Sequence, residues 1–165
     1  MIPRLAKISL VAGVAFFYSL IVFNNLTDFD SNYQFVRHVL MMDSTFPGNR
    51  GMGRAIHSPA IHLAFYLSII AWEIVTAVLL WWAAVQMLRK RRAATAAFRA
   101  SQRIAVAGLT LSLLMWLVAF LTVGGEWFLM WQSHLWNGQE AAVRDFTVVG
   151  LVLLIVAQPE SEPQG

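Results

Sequence analysis

The 165-residue chain contains no cysteine. Disulfides, thiolate metal centres, iron–sulfur clusters and haem attached through cysteine are therefore excluded, and cysteine usage leaves the redox compartment unmarked. Charge is scarce as well: 13% of residues are Asp, Glu, Lys or Arg, against about 25% in a soluble domain. Catalytic signatures are also missing. The chain has no GxSxG, SxxK, P-loop, GxGxxG or HExxH pattern and no acidic calcium loop, so none of the nucleophile elbows, phosphate cradles or zinc helices built on those spacings is present. These gaps lead us to expect no enzyme and no cofactor or metal of the chain's own.

What is present is apolar. Hydrophobic residues make up 58% of the chain, mean hydropathy is +0.60, and the apolar residues come in blocks, which favours a bilayer as the solvent for most of the chain. The pI near 9.8 does not indicate nucleic acid. Six of the twelve basic residues lie between Arg89 and Arg103 with no acid among them, the pattern of a cytoplasmic loop.

Four spans are predicted, at about 8–26, 60–88, 104–123 and 141–157, giving an all-α, four-helix transmembrane bundle in one domain. The first follows Arg4 and Lys7 and lacks a small-residue cleavage site near Phe23–Leu26, so an uncleaved helix is expected rather than a signal peptide. The second starts at Ser58-Pro59, a capping residue followed by proline at the first helical position. The third is expected to stop at Gly124-Gly125. The fourth is short, and Arg144 and Asp145 should lie just inside the outer interface, pairing or snorkelling. Residues 158–165 read as a disordered tail after the helix-ending Pro159. Between the spans, 27–60 and 126–145 are polar, and Phe35, Val39 and Met42 predict a short helix over Asn32–Met42. The loop charges place both termini inside and both long loops outside.

Glu73 stands alone in the middle of the apolar run from Ile61 to Leu88. A carboxylate at that depth is costly and by default functional. One reading makes it a proton or ion site in a small transporter. The other makes it a polar tie, hydrogen-bonded to Tyr18, Ser19, Thr76, Thr110 or Ser112 or to a partner's helix. The four histidines are His38, His57, His62 and His134, on or near the outer side. A haem- or quinone-binding redox module would use His62 and His134. An oxygen and nitrogen metal site from Asp28, Asp30, Asp43 and Glu126 with His38 or His57 lacks any tight spacing, and ordinary solvation and capping explain those residues.

Several outer segments resemble a known bacterial family. They are Asn24-Asn25-Leu26-Thr27-Asp28, Phe35-Val36-Arg37-His38-Val39-Leu40, Met41 through Pro47 and Arg54-Ala55-Ile56 in the first half. In the second half they are Gly124-Gly125-Glu126-Trp127-Phe128, Met130-Trp131-Gln132-Ser133 and Trp136-Asn137-Gly138-Gln139. The chain resembles the predicted small integral membrane proteins filed as DUF2165, from about residue 5 to 157. That resemblance implies a four-helix protein of the bacterial inner membrane and carries over no reaction and no catalytic residue.

It also directs attention to an outer rim of Asn24, Asn25, Phe46, Arg54, Trp127, Trp131, Gln132, Trp136, Asn137 and Gln139. Such a rim suits a docking surface, because aromatics and Arg supply anchors and amides supply directed hydrogen bonds. It equally suits a lid packed on itself. The function expected first is a non-enzymatic accessory or assembly subunit of a larger inner-membrane complex, respiratory or photosynthetic in type. Its partners would be the bilayer and another integral membrane protein or further copies of itself, and no nucleic acid.

Overall fold

The structure is a computed structural model and describes residues 1–159. It is all-helical among those residues, as expected. Helix α1 (Ile2–Thr27) is followed after a single residue by α2 (Phe29–Met41), then by a 3-10 turn (Arg50–Arg54) and α3 (Pro59–Arg89). Helix α4 (Thr95–Leu114) runs straight into a π-helical segment (Met115–Trp127), and a second 3-10 turn (Met130–Gln132) leads to α5 (Gln139–Ala157). Three helical stretches, Ile2–Thr27, Pro59–Arg89 and Thr95–Trp127, are long and apolar enough to cross a membrane. Helix α5 is 19 residues long and carries Glu140, Arg144 and Asp145.

The core is the seam where α1, α3, α4 and α5 meet. Val11, Ala15, Leu80, Ala83, Ala105, Leu109 and Val156 are among its fully buried members. Small residues let the helices approach. At Gly108 an added Cβ would lie 2.9 Å from Leu80 Cδ2 and 3.1 Å from its Cγ, so the α3–α4 crossing is built on a missing side chain. A smaller cluster around Leu40, Met42 and Phe128 holds α2 to the segment after the π-helix.

Several boundaries differ from expectation. The α3–α4 connection is only the stretch between Arg89 and Thr95, because Thr95–Arg103 continues as helix, with Phe98 buried in the core. The third long helix does not stop at Gly124-Gly125. Wider π-type turns, marked by Phe128 N–H donating to Val123 O at 3.0 Å, carry it through both glycines to Trp127. The glycines serve close approach there instead: a Cβ on Gly125 would sit 2.5 Å from Gln139 Nε2. Ser58 does precede α3, but its side chain makes no capping bond. The tail expected over 158–165 lies outside the described residues from 160 onward, while Gln158 O accepts a hydrogen bond from Lys7 Nζ at 2.7 Å.

Register is what positions the polar groups. At one end, Arg4 Nη1 donates to Arg91 O and Ala93 O, and its guanidinium lies over the Phe98 ring. Further along, Trp81 Nε1 donates to Ser19 Oγ at 3.0 Å and Asn25 Nδ2 to Glu73 Oε2. Helix α1 is thus matched by the C-terminal half of α3. The part of α3 before Tyr66 runs on past the end of α1, where Phe29 and Tyr33 of α2 pack against the Tyr66 ring.

Candidate functional site

Two features carry polar chemistry: a cap at the end opposite Lys7 and Arg4, and buried polar ties inside the bundle. The cap joins the 27–58 segment to the 127–139 segment. His38 stacks on Trp136 at 4.6 Å with ring planes 5° apart, while its Nδ1 lies 2.7 Å from Asp43 Oδ2. Phe35 meets the edge of Trp136, and Ser44 Oγ donates to Ser133 Oγ at 2.8 Å. Phe46 N–H donates to Gln132 Oε1 and its ring meets Trp131 edge-on at 5.8 Å. Arg54 Nη1 donates to Trp127 O, with the guanidinium over that indole. The residues shared with the resembled family therefore largely bind one another across the two segments.

Six of the ten residues expected at the rim, Phe46, Arg54, Trp127, Trp131, Gln132 and Trp136, form this clasp. Asn137 Oδ1 accepts from Gln139 N–H at the start of α5. Asn24 is exposed on α1. Asn25 turns away from the rim. It is buried, its Nδ2 donates to Glu73 Oε2 at 2.6 Å, and Tyr66 OH donates to its backbone oxygen at 3.0 Å and to its Oδ1 at 3.3 Å.

Glu73 is buried, 3% exposed, and its polar tie comes from Asn25, which was expected at the rim. The residues expected as its partners bond elsewhere: Tyr18 pairs with Ser112, Ser19 with Ala15 O and Trp81, and Thr76 with Trp72 O. Thr110 faces outward. Glu73 is the fifteenth residue of a 31-residue helix. Because α3 overhangs α1, it nonetheless lies beside Asn25, two residues from the end of α1. Its neighbour Trp72 donates to Leu111 O, at the middle of the third long helix.

Two further charges, Arg144 and Asp145, lie on α5. Asp145 shares a groove with Val14 and Phe17, near the middle of α1, and Arg144 Nε donates to Asp145 Oδ1 at 3.0 Å. The pairing was expected. Arg144 and Asp145 are the sixth and seventh residues of the 19-residue α5.

His62 is buried, with Nε2 donating to Ile56 O at 2.8 Å. Since a carbonyl only accepts, Nε2 carries the proton and Nδ1 is left as an unpartnered buried acceptor. His134 is exposed in the 127–139 segment and shares no hydrogen bond with His62. Among the described residues, no group of three or more His, Asp or Glu side chains is placed to hold a metal. Beneath α2 lies an apolar cavity of about 230 Å³ lined by Phe35, Val39, Phe65, Trp72, Phe120 and Val123. Sequence reasoning pointed to neither this cavity nor Tyr66. The aromatic spacing of Phe29, Tyr33 and Tyr66 was its only trace.

A family model described as predicted small integral membrane protein (DUF2165) matches residues 3–159. No curated protein matches the chain. No solved structure matches it either.

Proposed function

The chain belongs to the DUF2165 family of predicted small integral membrane proteins, and on that premise we propose that it is a non-enzymatic accessory or assembly subunit. It would serve a larger complex of the bacterial inner membrane by holding another integral membrane protein against its cap. Helix α5 is the fourth span in this reading: its 19 residues rise about 28 Å, close to the ~30 Å hydrocarbon core. The basic end, with Arg4, Lys7 and Arg89–Arg92, faces the cytoplasm together with both termini, and the cap faces outward.

The observation that supports the reading is the construction of the cap. The clasp holds its backbone in place while Phe46, Trp127, Trp131 and Leu135 remain exposed on its surface. Aromatic anchors presented on an already ordered scaffold suit protein recognition, because little side-chain or loop freedom is lost on binding. Neither alternative has comparable support: Glu73 is engaged by Asn25, and the proton-bearing nitrogen of His62 by Ile56.

The test is purification from native membranes in mild detergent, followed by mass spectrometry of co-eluting proteins. The wild type should bring down a defined membrane protein in fixed ratio, and Trp131→Ala with Leu135→Ala should lose it while still folding. If only copies of the chain itself are recovered from native membranes, the subunit reading fails.

A further inference from the structure

Trp72 Nε1 donates to Leu111 O at 3.0 Å where α3 and α4 meet. Toward the cap, α3 and the π-helical segment part, and the space between them under α2 is the apolar cavity of about 230 Å³. Phe65 and Ser68 of α3 form one wall, Val118 and Ala119 of the π-helical segment the other, and Val36 and Val39 of α2 the roof. Val118 and Ala119 stand in π-type turns, which recur at functional sites. Phe65 is 39% and Val118 41% exposed, and both belong to helices long and apolar enough to cross a membrane. The cavity therefore opens sideways, between two spans, toward hydrocarbon.

The lining decides what fits. Of the lining side chains, only those of Ser68 and Trp72 carry oxygen or nitrogen. Ser68 Oγ donates to Phe65 O at 2.7 Å, and Trp72 Nε1 is taken by Leu111 O. No side-chain donor is left for a carbonyl, phosphate or quinone oxygen, and such a group buried here unbonded would be costly. An apolar cavity of ~150 Å³ already stays dry and takes an apolar guest. The volume is also below the ~300–1,000 Å³ of pockets that enclose a whole small-molecule ligand. It suits a flexible hydrocarbon chain whose polar end stays outside. With a chain in place, Val36 and Val39 regain the dispersion contacts that a void denies them.

We propose that the cavity holds one acyl chain of a bilayer phospholipid from the leaflet nearest the cap. The chain enters between Phe65 and Val118 and lies under α2, while the headgroup remains at the membrane surface. Acyl chains solvate the side of a spanning bundle, so the entrance selects them by supply as well as by chemistry. The headgroup places no demand on the lining, and the site therefore recognises chain rather than charge.

Photolabelling tests the proposal. The purified protein is reconstituted into vesicles of phosphatidylethanolamine and phosphatidylglycerol with a trace of phosphatidylethanolamine carrying a diazirine in the middle of one acyl chain. After irradiation, labelled residues are identified by mass spectrometry. Bulk lipid should label exposed positions such as Val78. The cavity adds Val36 and Val39, which are half-buried and line it. Ala119→Phe fills the cavity from its wall and should lose both α2 labels while keeping the label at Val78. Val39→Trp fills it from the roof and should lose the label at Val36, so a folding failure in one variant leaves the other to decide. Circular dichroism and gel filtration verify the fold of each. Unlabelled Val36 and Val39 in the wild type overturn the proposal. Labels that persist in the folded variants overturn it too, as for an α2 that merely lies on the bilayer surface. Loss of the α2 labels when a long-chain quinone is added to the vesicles would assign the cavity to that class instead.

Discussion

Asn25 donates to Glu73 across the α1–α3 interface at 2.6 Å, and Tyr66 holds Asn25 from the other side. The three side chains form a closed polar tie where α1 ends and α3 continues. Removing a donor from a buried acceptor costs more than exchanging one acceptor for another, because the orphaned group keeps its full desolvation penalty. Glu73→Gln keeps an oxygen for Asn25 and should cost less than about 1 kcal/mol. Asn25→Leu strands Glu73, while the Tyr66 hydroxyl keeps the backbone oxygen of residue 25, and should cost about 2 kcal/mol. Thermal unfolding of the two variants in detergent checks the order, and a larger loss for Glu73→Gln would contradict the tie.

The cap predicts a local effect. Trp136 supplies the face that stacks on His38 and the edge that meets Phe35. Trp136→Ala removes the aromatic area that joins the two segments, at a cost of about 2–3 kcal/mol. The change should free the cap while the bundle stays folded. Faster tryptic cleavage after Arg50 and Arg54, with unchanged protection of the helices, is the expected result.

Two glycines should respond in opposite ways. Gly108→Ala pushes a methyl into Leu80 at the α3–α4 crossing and should destabilise by about 1–2 kcal/mol. In α5, Gly150 has only Leu113 Cδ2 at 3.9 Å, an ordinary contact. Gly150→Ala should be neutral or gain up to about 1 kcal/mol from better helix propensity. Unfolding midpoints of the pair separate a packing glycine from an incidental one.

At the basic end, Arg4 clamps the α3–α4 connection through Arg91 O, Ala93 O and Thr95 Oγ1. This fork of donors cannot be reproduced by lysine. Arg4→Lys should leave the charge pattern intact yet loosen the connection. Proteolysis at Arg91 and Arg92 should speed up several-fold, with little change in insertion or global stability. Equal cleavage rates would show that charge alone holds that end.

Much of the architecture was legible in the residues. Apolar blocks located the three long helices, Ser58-Pro59 marked the start of α3, and Phe35, Val39 and Met42 announced α2. Most of the segments bearing the family resemblance meet in the cap. Their mutual stacking was not legible, because a string of motifs does not say whether His38 faces Trp136 or a partner. The boundary at Gly124-Gly125 misled for a related reason. Glycine usually ends a helix, but here it lets Gln139 of another helix come close, a contact made between segments far apart in the chain.

The sequence by itself determined that this is an apolar, helical, cysteine-free membrane protein with a basic stretch at one set of helix ends, because hydropathy and charge act locally and can be summed along a chain. Only the tertiary structure decided depth and partnership. Helices of unequal length slide past one another until their cores fit, so the position of a residue within its own apolar run does not give its level in the bundle. Glu73, central in its helix, came to rest beside Asn25 near the end of α1, and Arg144 and Asp145, near the start of theirs, came to share a groove with Val14 and Phe17 of α1.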